Sequence, residues 1–234
     1  KGKQVNYLDL GAGDGTAARW ICKKDADIHI KCINISRAQN ALNRELSDEE
    51  GLGGQISVET GTFERLDPEY SNMYDGCMSQ DSFVHAFNRL HAFAEAYKVT
   101  KGGGWLLVSD LTCGEDEDIA AEEDLDGEAQ TVTKWVTTSQ CLDMAREAGW
   151  AEVQFVDMTV KIKTSCQAML KKIKDLSEKL HDNGKNDNDS YKSLQSWKAN
   201  LSKRIGQIDR GIFKWGIVAA RKPYDVVFFQ QPPV

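Results

Sequence analysis

Stretches of strand length, apolar and β-branched, alternate along this chain with stretches of helical periodicity, and that alternation constrains the fold more than any other feature. "VNYLDL", "ADIHIKCINIS", "ISVETGTF", "MYDGCMSQDSF" and "GGGWLLVSDL" read as five successive strands. "TAARWICKKD", "RAQNALNRELSDEEGL" and "VHAFNRLHAFAEAYKVT" read as helices among them, the second with Ser36 as N-cap and Gly51 as stop. Such alternation demands a parallel sheet with helices on both faces, because each strand must be re-entered by a crossover. Beyond the fifth strand, "TSQCLDMAREAGW" predicts a helix capped by Thr138 or Ser139, and "AEVQFVDMTV" a sixth strand. A helical pair, "SCQAMLKKIKDLSEKL" and "YKSLQSWKANLSKRIGQIDRG", flanks the polar break "HDNGKNDNDS" before a seventh strand, "IFKWGIVAARK". The expectation is one domain over residues 1–234, with a helical insertion over 161–210 above the sheet's C-terminal edge, where open α/β sheets bind ligands.

The first strand runs into "GAGDGT", three glycines at alternate positions. Glycines past a strand end allow a sharp turn and close approach of backbone to a ligand. The spacing G-x-G-x-G, with Thr16 where the dinucleotide fingerprint carries its third glycine, leans away from pyrophosphate binding. Asp9 sits two residues before the first glycine, where a carboxylate would repel a pyrophosphate and attract an amino group.

Composition narrows the function. Hydrophobic residues make up 41% and charged residues 28% of the chain, and no apolar run reaches the roughly 18 residues of a membrane span. A net charge of -7 and an isoelectric point near 5.2 count against a phosphate-binding face for nucleic acid. Small-molecule substrates are therefore expected, with neither a nucleic-acid nor a membrane partner. The six cysteines are scattered without a C-x-x-C pair, which predicts free thiols, no metal site and a cytoplasmic setting. The acidic run from Thr112 to Ala129 reads as a solvated loop or helix face. The chain opens almost directly on the first strand without an initiator methionine, which predicts a further N-terminal segment in the whole protein.

Seven strands in this order with "LDLGAGDG" at the first turn resemble the class I S-adenosylmethionine-dependent methyltransferases. "INISRAQN", "GTF", "SQDSFVHA" and the late "WGIVAARKP" are similar to one branch, the sarcosine and dimethylglycine N-methyltransferases. The resemblance implies a seven-stranded, mostly parallel, doubly wound α/β sheet and S-adenosylmethionine as cofactor. It further implies that Asp9, Gly11, Ala12 and Gly13 pack against the cofactor's methionine part, and that Asn34 bonds the ribose with Ile35 and Gln39 close by. Thr62 and Phe63 would flank the adenine, and Ser79 and Gln80 would line the cofactor. Asn34 stands where most of the class carries an acid, although an amide can still accept from one hydroxyl and donate to another. Asn34 also suits a helix cap, and Phe63 a core position.

The sulfonium methyl is already activated, so the protein's task is to align a nucleophile and exclude water. An amine acceptor must also lose its proton, for which His85 and Asp81 are the catalytic candidates, with Asp110 nearby as a substrate-binding carboxylate. Aromatic faces suit a product that is a quaternary ammonium, and Trp135 and Trp215 are candidates for them. Lys134, Arg204 and Arg210 are possible partners for an acidic acceptor, whereas His29 and His181 read as structural or exposed. The expected activity is methylation of sarcosine or dimethylglycine toward glycine betaine. S-methylation of a thioether acid, phosphoethanolamine methylation and a non-catalytic methyltransferase-like subunit are the alternatives. Nucleic-acid methylation is disfavoured by "SQDS", which lacks the Pro-Pro of amino-methylating enzymes.

Overall fold

The computed structural model describes residues 3–115, 136–182 and 189–224. Among these, seven strands form one sheet: β1 (Val5–Leu10), β2 (Ile28–Asn34), β3 (Ile56–Thr60), β4 (Tyr74–Gln80), β5 (Thr100–Cys113), β6 (Ala151–Asp157) and β7 (Phe213–Arg221). Their order is β3-β2-β1-β4-β5-β7-β6. The pairs from β3 through β5 are parallel, and β7 runs antiparallel to both β5 and β6. The sheet is thus seven-stranded and mostly parallel, as the strand and helix alternation and the family resemblance together imply.

The two sheet faces carry separate cores because side chains alternate along each strand. Leu8, Leu10, Ile33, Cys77, Leu106 and Val108 point to one face, covered by α3 (Arg89–Val99) and α4 (Thr138–Glu147) through Ala92, Phe93, Ala96, Cys141 and Ala145. Ile30 and Cys32 point to the other, against Ala18 and Cys22 of α1 (Thr16–Cys22) and Leu52 after α2 (Arg37–Glu49). All six cysteines are buried free thiols, small apolar fillers in these and neighbouring contacts. No helix among the described residues is long and apolar enough to cross a membrane.

Local signals set most element ends. Ser36 accepts a hydrogen bond from the Gln39 amide and starts α2, and Gly51, with φ of 71°, turns the chain just beyond its end. Three boundaries differ from the sequence reading. The helix expected from Val84 begins at Arg89, because Asn88 caps it and Phe83–His85 forms a separate 3-10 turn. The cap of α4 is Thr137, in a reciprocal capping box with Gln140, and neither Thr138 nor Ser139. The strand expected through Val160 stops at Asp157, whose carboxylate accepts from the Thr159 amide and starts α5 (Thr159–Asp182). Thr159 and Val160, expected in that strand, open the helix instead, and its far end reaches Asp182, so His181 falls in α5 and not in the polar break.

Helices α5 and α6 (Asp189–Asp209) pack on each other and on β7. Gln207 near the end of α6 is buried, and Lys163 of α5 pairs with Asp209 of α6. The acidic run beyond residue 115 lies outside the described residues.

Candidate functional site

Connections from β1 leave in opposite directions to β2 and, by way of β3, to β4, so the C-terminal ends of β1 and β4 flank a crevice. A cavity of about 720 Å³ occupies it. That volume lies within the range of small-molecule and cofactor sites.

The floor is the turn after β1. Amides of Gly11 and Ala12 both donate to the Ile33 carbonyl, tying the turn to β2. The Ser82 hydroxyl donates to the Gly11 carbonyl at 2.9 Å, tying it to the loop after β4. A Cβ on Gly11, at φ of 82°, would stand 2.5 Å from both Cβ and Oγ of Ser82, whereas one on Gly13, at φ of 57°, would meet nothing within 4 Å. The first glycine therefore lets two protein segments approach, and the second leaves space open to the cavity.

Asp9 lines the same floor, 3% exposed, and its Oδ2 has no hydrogen-bond partner. Burial pushes its carboxyl up to about 7. An unpartnered buried carboxylate is costly unless a cation meets it.

From β2, Asn34 donates through Nδ2 to Gln39 Oε1 at 3.0 Å, forming an amide pair on the cavity wall. Ile35, 72% exposed, and Phe87, 84% exposed, form apolar parts of the wall. Gln80, Asp81, Ser82 and His85 complete it from the β4 side.

Asp81 adopts φ of 51°, a left-handed conformation that is uncommon for a non-glycine residue. Its amide donates to the Ser109 carbonyl at 2.8 Å, and its Oδ1 accepts from Trp215 Nε1 at 2.7 Å. Burial raises the Asp81 carboxyl above the ordinary 3.8, against the Trp215 hydrogen bond and the charge of His85. Asp81 also borders a second cavity of about 340 Å³ beneath α5 and α6, whose wall includes Trp215, Phe213, Trp197 and Arg204.

Several expected residues stand elsewhere. Asp110 is buried with both oxygens accepting backbone amides, Oδ2 from Val84 and Oδ1 from Leu111, and it borders neither cavity. It anchors the turn that carries His85. Burial holds its carboxyl near 6, opposed by the Leu111 hydrogen bond and the charge of Arg89. Ser79 donates to the Leu10 carbonyl at 2.7 Å and is buried between β1 and β4. Phe63 stacks on Phe83 at 5.2 Å, and Thr62 accepts from the Glu64 amide, so neither lies in the wall of the larger cavity. Arg210 lines neither cavity, His29 faces a hollow at the other end of β2, and Trp135 and Lys134 lie outside the described residues.

Among the residues that sequence reasoning missed are Ser82 and Phe87 on the larger cavity and Trp197, Asn200 and Leu201 on the smaller. Ser82 had a readable signal, as the last residue of "SQDS" after a strand end. The three on α6 had none, since their helix faces the cavity only through its packing on β7.

Residues 8–108 match the family described as "Methyltransferase domain". The chain is 32% identical over 225 residues to the sarcosine/dimethylglycine N-methyltransferase of Aphanothece halophytica, covering 94% of this chain and 76% of that protein. To the enzyme of the same name from Halorhodospira halochloris it is 24% identical, with the same coverage. A solved structure described as a candidate sarcosine dimethylglycine methyltransferase from Galdieria sulphuraria superposes with a TM-score of 0.77 at 25% identity, over 94% of this chain and 79% of that one. Phosphoethanolamine N-methyltransferase 2 of Haemonchus contortus in complex with S-adenosyl-L-methionine shares the fold, with a TM-score of 0.75 at 19% identity over 95% of this chain and 50% of that one.

Proposed function

The chain belongs to the class I S-adenosylmethionine-dependent methyltransferases, and on that premise we propose that it methylates the nitrogen of a small amine acid, sarcosine or dimethylglycine, toward glycine betaine. The observation that carries the reading is the junction of two cavities at Asp81, one roomy and polar-floored, the other small and aromatic. The names of the relatives point to the same acceptors.

The residues of the larger cavity fit the cofactor. Asp9 Oδ2 is a buried acceptor that an ammonium would satisfy, Gly13 leaves its approach open, and the Asn34–Gln39 pair can both donate to and accept from ribose hydroxyls. When bound there, S-adenosylmethionine supplies an activated methyl group on a sulfonium. Asp81 then borders both the cofactor cavity and the acceptor cavity, and His85 borders the cofactor cavity. The acceptor amine is an ammonium near neutral pH and attacks only after losing its proton, which Asp81 Oδ2 or the His85 imidazole takes. Trp215 fixes the Asp81 rotamer through Oδ1, so the second oxygen stays aimed. Helices α5 and α6 act as the acceptor-side cover and keep water from the reacting pair.

Transfer of labelled methyl groups to glycine, sarcosine, dimethylglycine, phosphoethanolamine and thioether acids tests the activity. Sarcosine or dimethylglycine is expected to give the highest kcat/KM. Turnover confined to a thioether acid or to phosphoethanolamine would overturn the reading.

The two turn glycines give a contrast that checks the cofactor site. Gly11→Ala is expected to lower the stability of the free protein by about 1 to 3 kcal/mol, through strain and contact with Ser82. Gly13→Ala is expected to fold with a loss near 1 kcal/mol, from its positive φ alone, yet to weaken S-adenosylmethionine binding because its methyl enters the cavity. Thermal melts with and without cofactor separate the two effects. Unchanged cofactor affinity in a folded Gly13→Ala protein would remove the turn from the site.

A further inference from the structure

We infer that Asp110 is a positioning residue for proton transfer: through the Val84 amide it fixes the segment after β4 and so keeps Asp81 at the junction of the two cavities. The inference rests on the amine-acid reading above and concerns how the proton acceptor of that reading is held.

Asp81 sits in a conformation that has to be imposed. Its φ of 51° is left-handed, and such a backbone persists in a non-glycine residue only where the surroundings over-determine it. The constraint comes from two consecutive residues of β5. The Ser109 carbonyl accepts from the Asp81 amide at 2.8 Å, and Asp110 Oδ2 accepts from the Val84 amide at 2.7 Å. Within the same turn the His85 amide donates to the Ser82 carbonyl at 3.0 Å. The stretch from Asp81 to Val84 is thus pinned at both ends to adjacent positions of one strand.

Alternation along β5 brings the holds from opposite faces of the sheet. Asp110 continues the row of Leu106 and Val108, on the face covered by α3 and α4. Leu111, the next residue, turns to the other face, where it pairs with Trp215 of β7 and lines the smaller cavity with it. Trp215 therefore holds the Asp81 carboxylate from the acceptor side, and Asp110 holds the Asp81 backbone, by way of Val84, from the core side.

A carboxylate suits that place where an amide does not. Both Asp110 oxygens accept, from the Val84 and Leu111 amides, each at 2.7 Å. Burial raises the Asp110 carboxyl to about 6, and the Leu111 hydrogen bond, the charge of Arg89 and the Val84 hydrogen bond oppose it, which leaves the group ionised at neutral pH. An asparagine would offer one acceptor and turn its own donor toward the second N–H. The contact to its chain neighbour Leu111 is the easier to keep, so the buried Val84 amide is the one left without its acceptor. The turn then relaxes, and Asp81 shifts relative to the acceptor nitrogen.

A double-mutant cycle between Asp110→Asn and Asp81→Asn, read as kcat with dimethylglycine, tests this. In the otherwise wild-type enzyme, Asp110→Asn is expected to lower kcat about 10- to 100-fold, the range for a misplaced reacting group, with KM changed far less. In the Asp81→Asn protein the same substitution is expected to lower kcat less than about twofold, because residues that act as a unit are not additive. Calorimetry with S-adenosylhomocysteine is expected to give close to wild-type affinity, which shows that the variants are folded. Equal losses in the two backgrounds would make Asp110 a support of the fold alone and overturn the inference. Full turnover in a folded Asp110→Asn enzyme overturns it too, as does near-normal turnover in Asp81→Asn, since Asp110 then has no acceptor to position. If Asp110→Asn does not fold, Asp110→Glu decides, because its added methylene displaces the oxygens while keeping the charge: full turnover overturns the inference, and a loss that vanishes in the Asp81→Asn background supports it. All of these outcomes leave amine-acid methylation standing. A wild-type enzyme that methylates no amine acid refutes the activity itself, before any variant is made, and the positioning role falls with it.

Discussion

Asp81→Asn is expected to cut kcat by about two to four orders of magnitude, the range for losing a positioned proton acceptor. Asparagine keeps the shape, tolerates the left-handed φ of 51°, and its carbonyl can still accept from Trp215 Nε1. The fold and the junction of the cavities therefore survive, and the loss reports chemistry. In the wild type, kcat/KM for dimethylglycine is expected to rise with pH, as the acceptor ammonium and its partner lose protons. Burial raises the Asp81 carboxyl above 3.8, so the acid limb begins above the ordinary carboxylate range. In Asp81→Asn that limb disappears and the remaining dependence follows the acceptor amine. Steady-state kinetics across pH measure both. Near-normal turnover with an unshifted profile would pass the proton to His85, and a His85→Gln protein with full activity would leave Asp81 alone in the role.

Asp9→Asn is expected to separate binding from stability. Removing one partner of a buried charge pair costs about 3 to 5 kcal/mol, so S-adenosylmethionine affinity is expected to fall by about two to three and a half orders of magnitude. The free protein moves the other way. Asp9 ordinarily titrates near 3.8 but near 7 in the fold, so between these values the folded state holds the proton more often than the unfolded state does. Stability contributed by this group is thus complete below about 3.8, falls as pH rises, and reaches its full penalty above about 7, on the order of 4 kcal/mol. Asparagine cannot ionise and abolishes that slope. Denaturant unfolding at pH 5 and pH 8, without cofactor, is expected to show the wild type losing stability across this interval and the variant losing less. A variant with normal affinity and an unchanged slope would refute the assignment of Asp9 to the cofactor's ammonium.

Much of the larger cavity was legible because its residues sit at strand ends and in tight turns. Asp9, Gly11, Gly13 and Asp81 follow from a strand pattern that stops and a turn that begins, both local signals, whereas Asn34 and Gln80 were implied by the family resemblance. Even there, local reading could not tell which side of a strand end faces the cavity. Ser79 and Gln80 are adjacent, but the first turns into the β1–β4 seam and the second into the site. Alternation guarantees that they part; only the packed sheet says which way. Asp110 shows the same limit, for a carboxylate near the sheet's C-terminal edge reads as a ligand group until its two oxygens are found on the Val84 and Leu111 amides.

The sequence by itself determined the α/β alternation, the glycine turn and the presence of a helical pair before the last strand. These depend on periodicity and on contacts within a few residues, which chain order encodes directly. Only the tertiary structure decided that Trp215, 134 residues beyond Asp81, donates to it, and that one stripe of α6 brings Arg204 over Phe213. The physical reason is that β7 enters antiparallel between β5 and β6, which sets its register against the sheet. Register and helix rotation are settled by contacts between residues far apart in the chain, such as Trp215 and Asp81, and no short window of sequence contains both partners.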